Sequence, residues 1–202
     1  MESKTPVPDP QNYFRQAAAL LAESSNSIAN QCCKEIHDTH TVILDLGAII
    51  YEFTAFLGSI LLHEAHSKHG QGSASDIHQT YQSLKDSLTK LATKEPSLST
   101  YSLLFDDQQF HQLLACYYNG KLAGFNFPPE AIEKTSTRSG LETPTDAGIE
   151  TIFFALLTRL FQVTEVTEIK DSEEVENATK QLTRLAETGI AAFAFQLQGL
   201  GS

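Results

Sequence analysis

Val42-Ile-Leu-Asp45-Leu-Gly-Ala-Ile-Ile-Tyr-Glu52-Phe-Thr-Ala-Phe-Leu-Gly-Ser59-Ile-Leu-Leu62 is the stretch on which the fold turns. It carries only two charges and is as long as the roughly 20 apolar residues needed to cross a bilayer. The polar residues argue against a span because they are phased. Asp45, Glu52, Ser59 and His66 recur every seven residues, and His63 joins them, which draws one narrow polar stripe along a helix of about 3.6 residues per turn. A lipid-facing helix gains nothing from two carboxylates at membrane depth. The stretch therefore reads as the central helix of a soluble, all-α domain, its stripe facing solvent or pairing with a neighbouring helix. Gly47, Thr54 and Gly58 on the opposite face would let a second helix approach closely, near the short end of the usual ~8–10 Å spacing.

Outward from this helix the punctuation marks further helices. Residues 1–9 are proline-containing and polar, the composition of a flexible N-terminal segment, and residues 10–202 read as one all-helical domain. Asp9-Pro10 resembles an N-cap with proline at the first helical position. The stripe Tyr13, Phe14, Ala17, Ala18, Leu21 and Ile28 carries that helix until the pattern resets near His37-Asp38-Thr39. Ile77, Tyr81, Leu84, Leu88 and Leu91 give a heptad-like stripe that is too short for a coiled coil and ends at Pro96. Tyr101–Phe105 reads as a helical turn. Asp106 or Asp107 can start a helix through Phe110, Leu113, Leu114 and Tyr117, closed by Asn119-Gly120. A second very apolar helix is expected over Ile149–Phe161, beside the first. The last helix opens on the capping-box-like Asp171-Ser-Glu-Glu174, with Val175, Ala178, Leu182, Leu185, Ile190, Phe193 and Leu197 inward and Gly189 as a bend. The expected architecture is a single compact bundle of six to seven helices with two very apolar central helices.

Composition narrows the function classes. A formal net charge of −11 without a basic run disfavours nucleic acid and anionic membrane surfaces. The segment with Glu165, Glu168, Asp171, Glu173, Glu174 and Glu176 reads first as a solvated loop and helix start, and as the alternative a docking surface for a basic protein partner. Cys32, Cys33 and Cys116 have no framework spacing and read as free thiols, and no secretory signal opens the chain, so a cytoplasmic location is expected.

Motifs for chemistry are few. His63, His66 and His69 lie about one turn apart and could chelate a transition metal, yet they do not form HExxH, and His37 and His40 belong to another helix end. Capping or solvation of helix ends is the simpler reading, and no metal or cofactor is expected. Asp45 and Glu52 stand about 10 Å apart along the axis, too far to share a proton. Cys116 reads as core, and no nucleophile elbow or phosphate loop is present. The expectation is thus a non-enzymatic, cytoplasmic protein-interaction module: an adaptor, secretion-type chaperone, inhibitor or complex subunit. Tyr118, Phe125 and Phe127 in the glycine-punctuated stretch after Tyr117 read either as a hydrophobic lid folded back over the bundle, the simpler reading, or as the candidate partner-binding anchors. A ligand- or metal-binding bundle, and a membrane-active protein that deploys 42–62, are the alternatives.

Overall fold

The structure is a computed structural model that describes residues 10–39, 43–69, 74–119, 164–165 and 172–200. Its elements are α1 (Pro10–Thr39), β1 (Ile43–Leu44), α2 (Leu46–His69), α3 (Ala74–Ala92), a 3₁₀ turn (Pro96–Leu98), α4 (Ser99–Leu104), α5 (Gln108–Asn119), β2 (Thr164–Glu165) and α6 (Ser172–Gly199). The described chain is mostly helical, as the residue pattern implies. The expectations for residues 1–9, for the Asp9 and Asp171 caps and for a helix over Ile149–Phe161 lie outside the described residues.

Each helix boundary has a local cause. The central helix starts at Leu46, not Val42: Ile43 and Leu44 are extended and pair antiparallel with Glu165 and Thr164. The β-branched Ile43 suits that strand. Asp45 then caps α2, its Oδ1 accepting the Ala48 N–H at 3.1 Å while its carbonyl accepts the Ile49 N–H at 2.9 Å. Asp107 does the same for α5, its Oδ1 accepting from the Gln109 N–H at 2.9 Å and its carbonyl from the His111 N–H at 3.0 Å. At the end of α3 the Leu91 carbonyl accepts from both Lys94 and Glu95, closing the helix just before Pro96. Tyr101–Phe105 is helical, with Phe105 at the C-terminal turn of α4.

α1 is the hub, packed against α2, α3 and α6, while α2 also meets α3, α5 and α6. Surrounded in this way, α2 is buried at every position from Glu52 to Ser59. That overturns a solvent-facing polar stripe. Asp45 is exposed at the cap, but Glu52 and Ser59 point into protein, and the Ser59 hydroxyl donates to the Phe56 carbonyl at 2.7 Å within its own helix. Leu46–Ala65 is long and apolar enough to cross a membrane by length and composition, and most of it is buried among the other helices.

The two glycines that matter lie at helix crossings. A Cβ on Gly58 would sit 3.1 Å from Leu114 Cδ1 of α5 and 4.0 Å from Leu21 of α1, so these are its close neighbours. Gly47 is not at a crossing; it is exposed in the first turn, and its Cβ would meet only the Asp45 carboxylate, at 3.3 Å. Gly189 lies where α6 meets α1. A Cβ there would lie 2.5 Å from Cγ1 and 2.8 Å from Cδ1 of Ile28, so its bare backbone is what lets α6 rest on α1.

Gly189→Ala is therefore expected to destabilise despite the roughly 1 kcal/mol gained in helix propensity. The β-branched Ile28 has few rotamers with which to retreat, and overpacking of this kind typically costs about 1–3 kcal/mol. Denaturant unfolding of the two single variants and of Gly189→Ala with Ile28→Ala checks it. The pair should be less destabilised than the sum of the singles, whereas strict additivity would mean that the two residues do not touch.

Candidate interaction surface

Of the three expected anchors only Tyr118 is described; Phe125 and Phe127 lie outside the described residues, so their placement together is not established. Tyr118 stands in the last turn of α5, half-buried, with its ring stacked on the exposed His63 of α2 at 4.1 Å between centroids and 12° between planes. His63 Nε2 donates to the Tyr118 carbonyl at 2.8 Å, which places the proton on that nitrogen. The last four carbonyls of a helix have no partner within it. His63 therefore supplies from α2 a partner for one of those carbonyls, and burial raises the Tyr118 phenol above its ordinary pKa. Tyr118 is in part a structural residue, pinned against α2, with one edge left at the surface. His63 thus caps a helix end, and the end is that of the neighbouring α5, so it joins two helices.

Tyr117, one residue earlier, turns inward. Its hydroxyl donates to Glu52 Oε2 at 2.9 Å, and both residues are 1% exposed. The ring also meets Phe56 edge-on at 5.5 Å. Glu52 is thus paired across helices, one of the two outcomes that its phasing allowed. Tyr117→Phe keeps the ring and removes the donor, with an expected cost of about 1–3 kcal/mol of stability. Chemical denaturation reads this directly, and an unchanged midpoint would mean that the hydroxyl contributes nothing to the fold.

The other sequence candidates disperse. Among the described residues no cluster of three or more His, Cys, Asp or Glu side chains could hold a metal ion. The side chains of His66, His69 and Cys116 are outside the described set. Cys32 is fully buried, and burial, followed by the neighbouring Cys33 and Glu35, pushes its thiol up to about 12; the half-buried Cys33 is raised for the same first reason. Neither has the depressed pKa of a nucleophile. In the acidic segment, Glu176 pairs with Lys180 one turn on at 2.6 Å, and the hydrogen bond from Lys180 lowers the Glu176 carboxyl below its ordinary value.

Residue periodicity also pointed to a surface that the sequence reading gave no role. Phe193 and Leu197 of α6 are buried, and Phe195 lies about 200° round the helix from Phe193. Phe195 is 79% exposed, and Ala191 and Ala192, one turn before it, are exposed on the same side. An aromatic ring so far out of the core, on a small apolar strip, offers an anchor rather than packing. Comparison with known proteins finds no matching family model, no matching curated protein and no matching solved structure.

Proposed function

We propose that this chain is a non-enzymatic protein-interaction module of the cytoplasm, an adaptor, secretion-type chaperone, inhibitor or complex subunit, built as a single compact helical bundle. The observation that carries the reading is Phe195, held 79% exposed on α6 beside Ala191 and Ala192. Aromatic side chains are enriched among the residues that dominate binding energy at interfaces. Tyr118 remains a lesser candidate at the α2–α5 edge, because part of its ring is already occupied by His63. The acidic start of α6 supports a basic partner for that end of the helix.

The test places a photo-crosslinking amino acid at position 195, and separately at the exposed control position 103, in the full chain in native lysate. A discrete adduct specific to position 195, lost when Ala192→Glu is added, is the expected result. Indistinguishable labelling from both positions would remove the α6 strip as an interface. A second reading has its own observation: Leu46–Ala65 has the length and composition of a membrane span. Flotation with liposomes at neutral and mildly acidic pH separates the two, since a bundle that keeps α2 inside stays with the soluble fraction.

A further inference from the structure

Between the first two turns of α1 and the second half of α3 runs a groove of about 570 Å³. Its apolar floor is Phe14, which is buried, and Leu91, which is half-buried. Around that floor stand Arg15, Lys90 and Lys94, all exposed, with Asp86 the one acidic side chain among the described lining residues. Lys90 lies in the last turn of α3 and Lys94 in the turn that follows it, with Arg15 opposite on α1. The Arg15 guanidinium is steadied by Asn12, to whose Oδ1 it donates at 2.7 Å. Asp86 is engaged by Gln82, which donates to it at 3.0 Å. The ion pairs found among the described residues join Lys85 to Asp106 and Lys180 to Glu176, leaving Lys90 and Lys94 unneutralised.

This arrangement runs against the composition of the whole protein. The chain has 14 basic side chains against 25 acidic ones, yet three of the 14 line one groove. Beyond about 8 Å most of the acidic excess is screened at physiological salt, so a ligand in the groove responds to the local cations.

We propose that the α1–α3 groove docks an acidic peptide segment of a partner protein, its carboxylates on Arg15, Lys90 and Lys94 and one apolar side chain on Phe14 and Leu91. Charge complementarity selects the carboxylates, and the uncharged floor selects a chain that carries an apolar residue among them. The volume falls within the roughly 300–1,000 Å³ typical of ligand clefts, enough for one side chain and its flanking backbone. The proposal rests on the reading of the protein as an interaction module, but it concerns a surface separate from Phe195.

The probe is a fluorescein-labelled Glu-rich peptide with a single central Phe, followed by anisotropy against the full-length protein. Saturable binding that weakens with added salt is expected, and replacing the Phe by Ser should reduce it. Lys90→Glu with Lys94→Glu should weaken binding at least about tenfold, the equivalent of two rim ion pairs near the upper end of their usual range. Both lysines are exposed and unpaired, so helix content and melting should stay unchanged; the Lys90→Gln, Lys94→Gln pair gives a milder second measure. Absent binding, or binding indifferent to these substitutions, overturns the proposal. Equal binding of a Phe-free peptide or displacement by inorganic pyrophosphate overturns it in favour of a simple anion site. If the position-195 adduct forms in the unaltered chain while the peptide fails to bind that same chain, the groove assignment falls and the module reading stands.

Discussion

Taken from about pH 9 to about pH 12, the protein is expected to unfold cooperatively. Cys32 is pushed up to about 12 from 9.0, and Tyr13 and Tyr81 each to about 12 from 10.0, chiefly because burial disfavours the ionised form. The Tyr81 hydroxyl in addition donates to the Phe105 carbonyl at 2.9 Å, a bond that the phenolate could not make. These groups keep their protons in the folded chain where the unfolded chain has begun to lose them. In that window the unfolded state binds fewer protons, and stability falls as pH rises. The stabilisation is complete below about pH 9 and is lost as pH climbs through about 12. At about 1.4 kcal/mol per pKa unit, each group represents about 2–4 kcal/mol, so the three approach the whole stability of an ordinary domain, about 5–15 kcal/mol. Circular dichroism followed beside phenolate absorbance checks it. Part of the phenolate signal from the six tyrosines should appear only as ellipticity is lost. All six titrating smoothly near pH 10 with helices intact would contradict the burial of Tyr13 and Tyr81. Tyr81→Phe should shift the alkaline midpoint upward relative to its own neutral stability.

Phe110→Ala is expected to cost about 3–5 kcal/mol, the range for truncating a buried aromatic ring. Phe110 is 0% exposed and sits edge-on to Tyr51 of α2 at 5.3 Å and beside Phe105 at 5.1 Å. Phe105 in turn meets Tyr81 of α3 at 5.3 Å, so one ring closes a cluster that joins α2, α3 and α5. For a chain of this size the loss corresponds to a melting temperature lower by roughly 10 °C. Leu103→Ala is the control, since Leu103 is 68% exposed and should shift melting little. Equal shifts in the two variants would deny the cluster a central place in the core.

What could be read from residues alone was the local part of the problem. Phe110, Leu113, Leu114 and Tyr117 recur with helical spacing, and all four are buried. Asp107 and Asn119 announced the ends of α5 to within a residue, and α3 stops at Ala92, four residues ahead of Pro96. The fate of Glu52 was not legible, because a seven-residue recurrence defines a line along a helix without saying what faces it. Tyr117 happened to stand opposite. The contact at Gly189 was not legible for the same reason: a glycine in a helix does not name its neighbour, and Ile28 lies far away in sequence. Asp45 ends a strand and starts a helix, a distinction that the unbroken apolarity of 42–62 conceals. The Phe195 strip had a periodicity signal, whereas the α1–α3 groove had none, since Arg15 and Lys94 are joined only by the fold.

The bond from the Thr39 hydroxyl to Gln181 Oε1, 3.0 Å long, spans 142 residues of chain. Together with the Ile28–Gly189 crossing, it makes α6 the cover for a face of α1. During synthesis, at about 5–20 residues per second, α1 leaves the ribosome roughly 7–30 s before the helix that shields it. Throughout that interval α2 and α3 can already dock, because their partners are close behind in the chain, whereas the flank of α1 around Ile28 waits uncovered. Until α6 emerges, the flank of α1 around Ile28 lacks the helix that covers it in the folded chain.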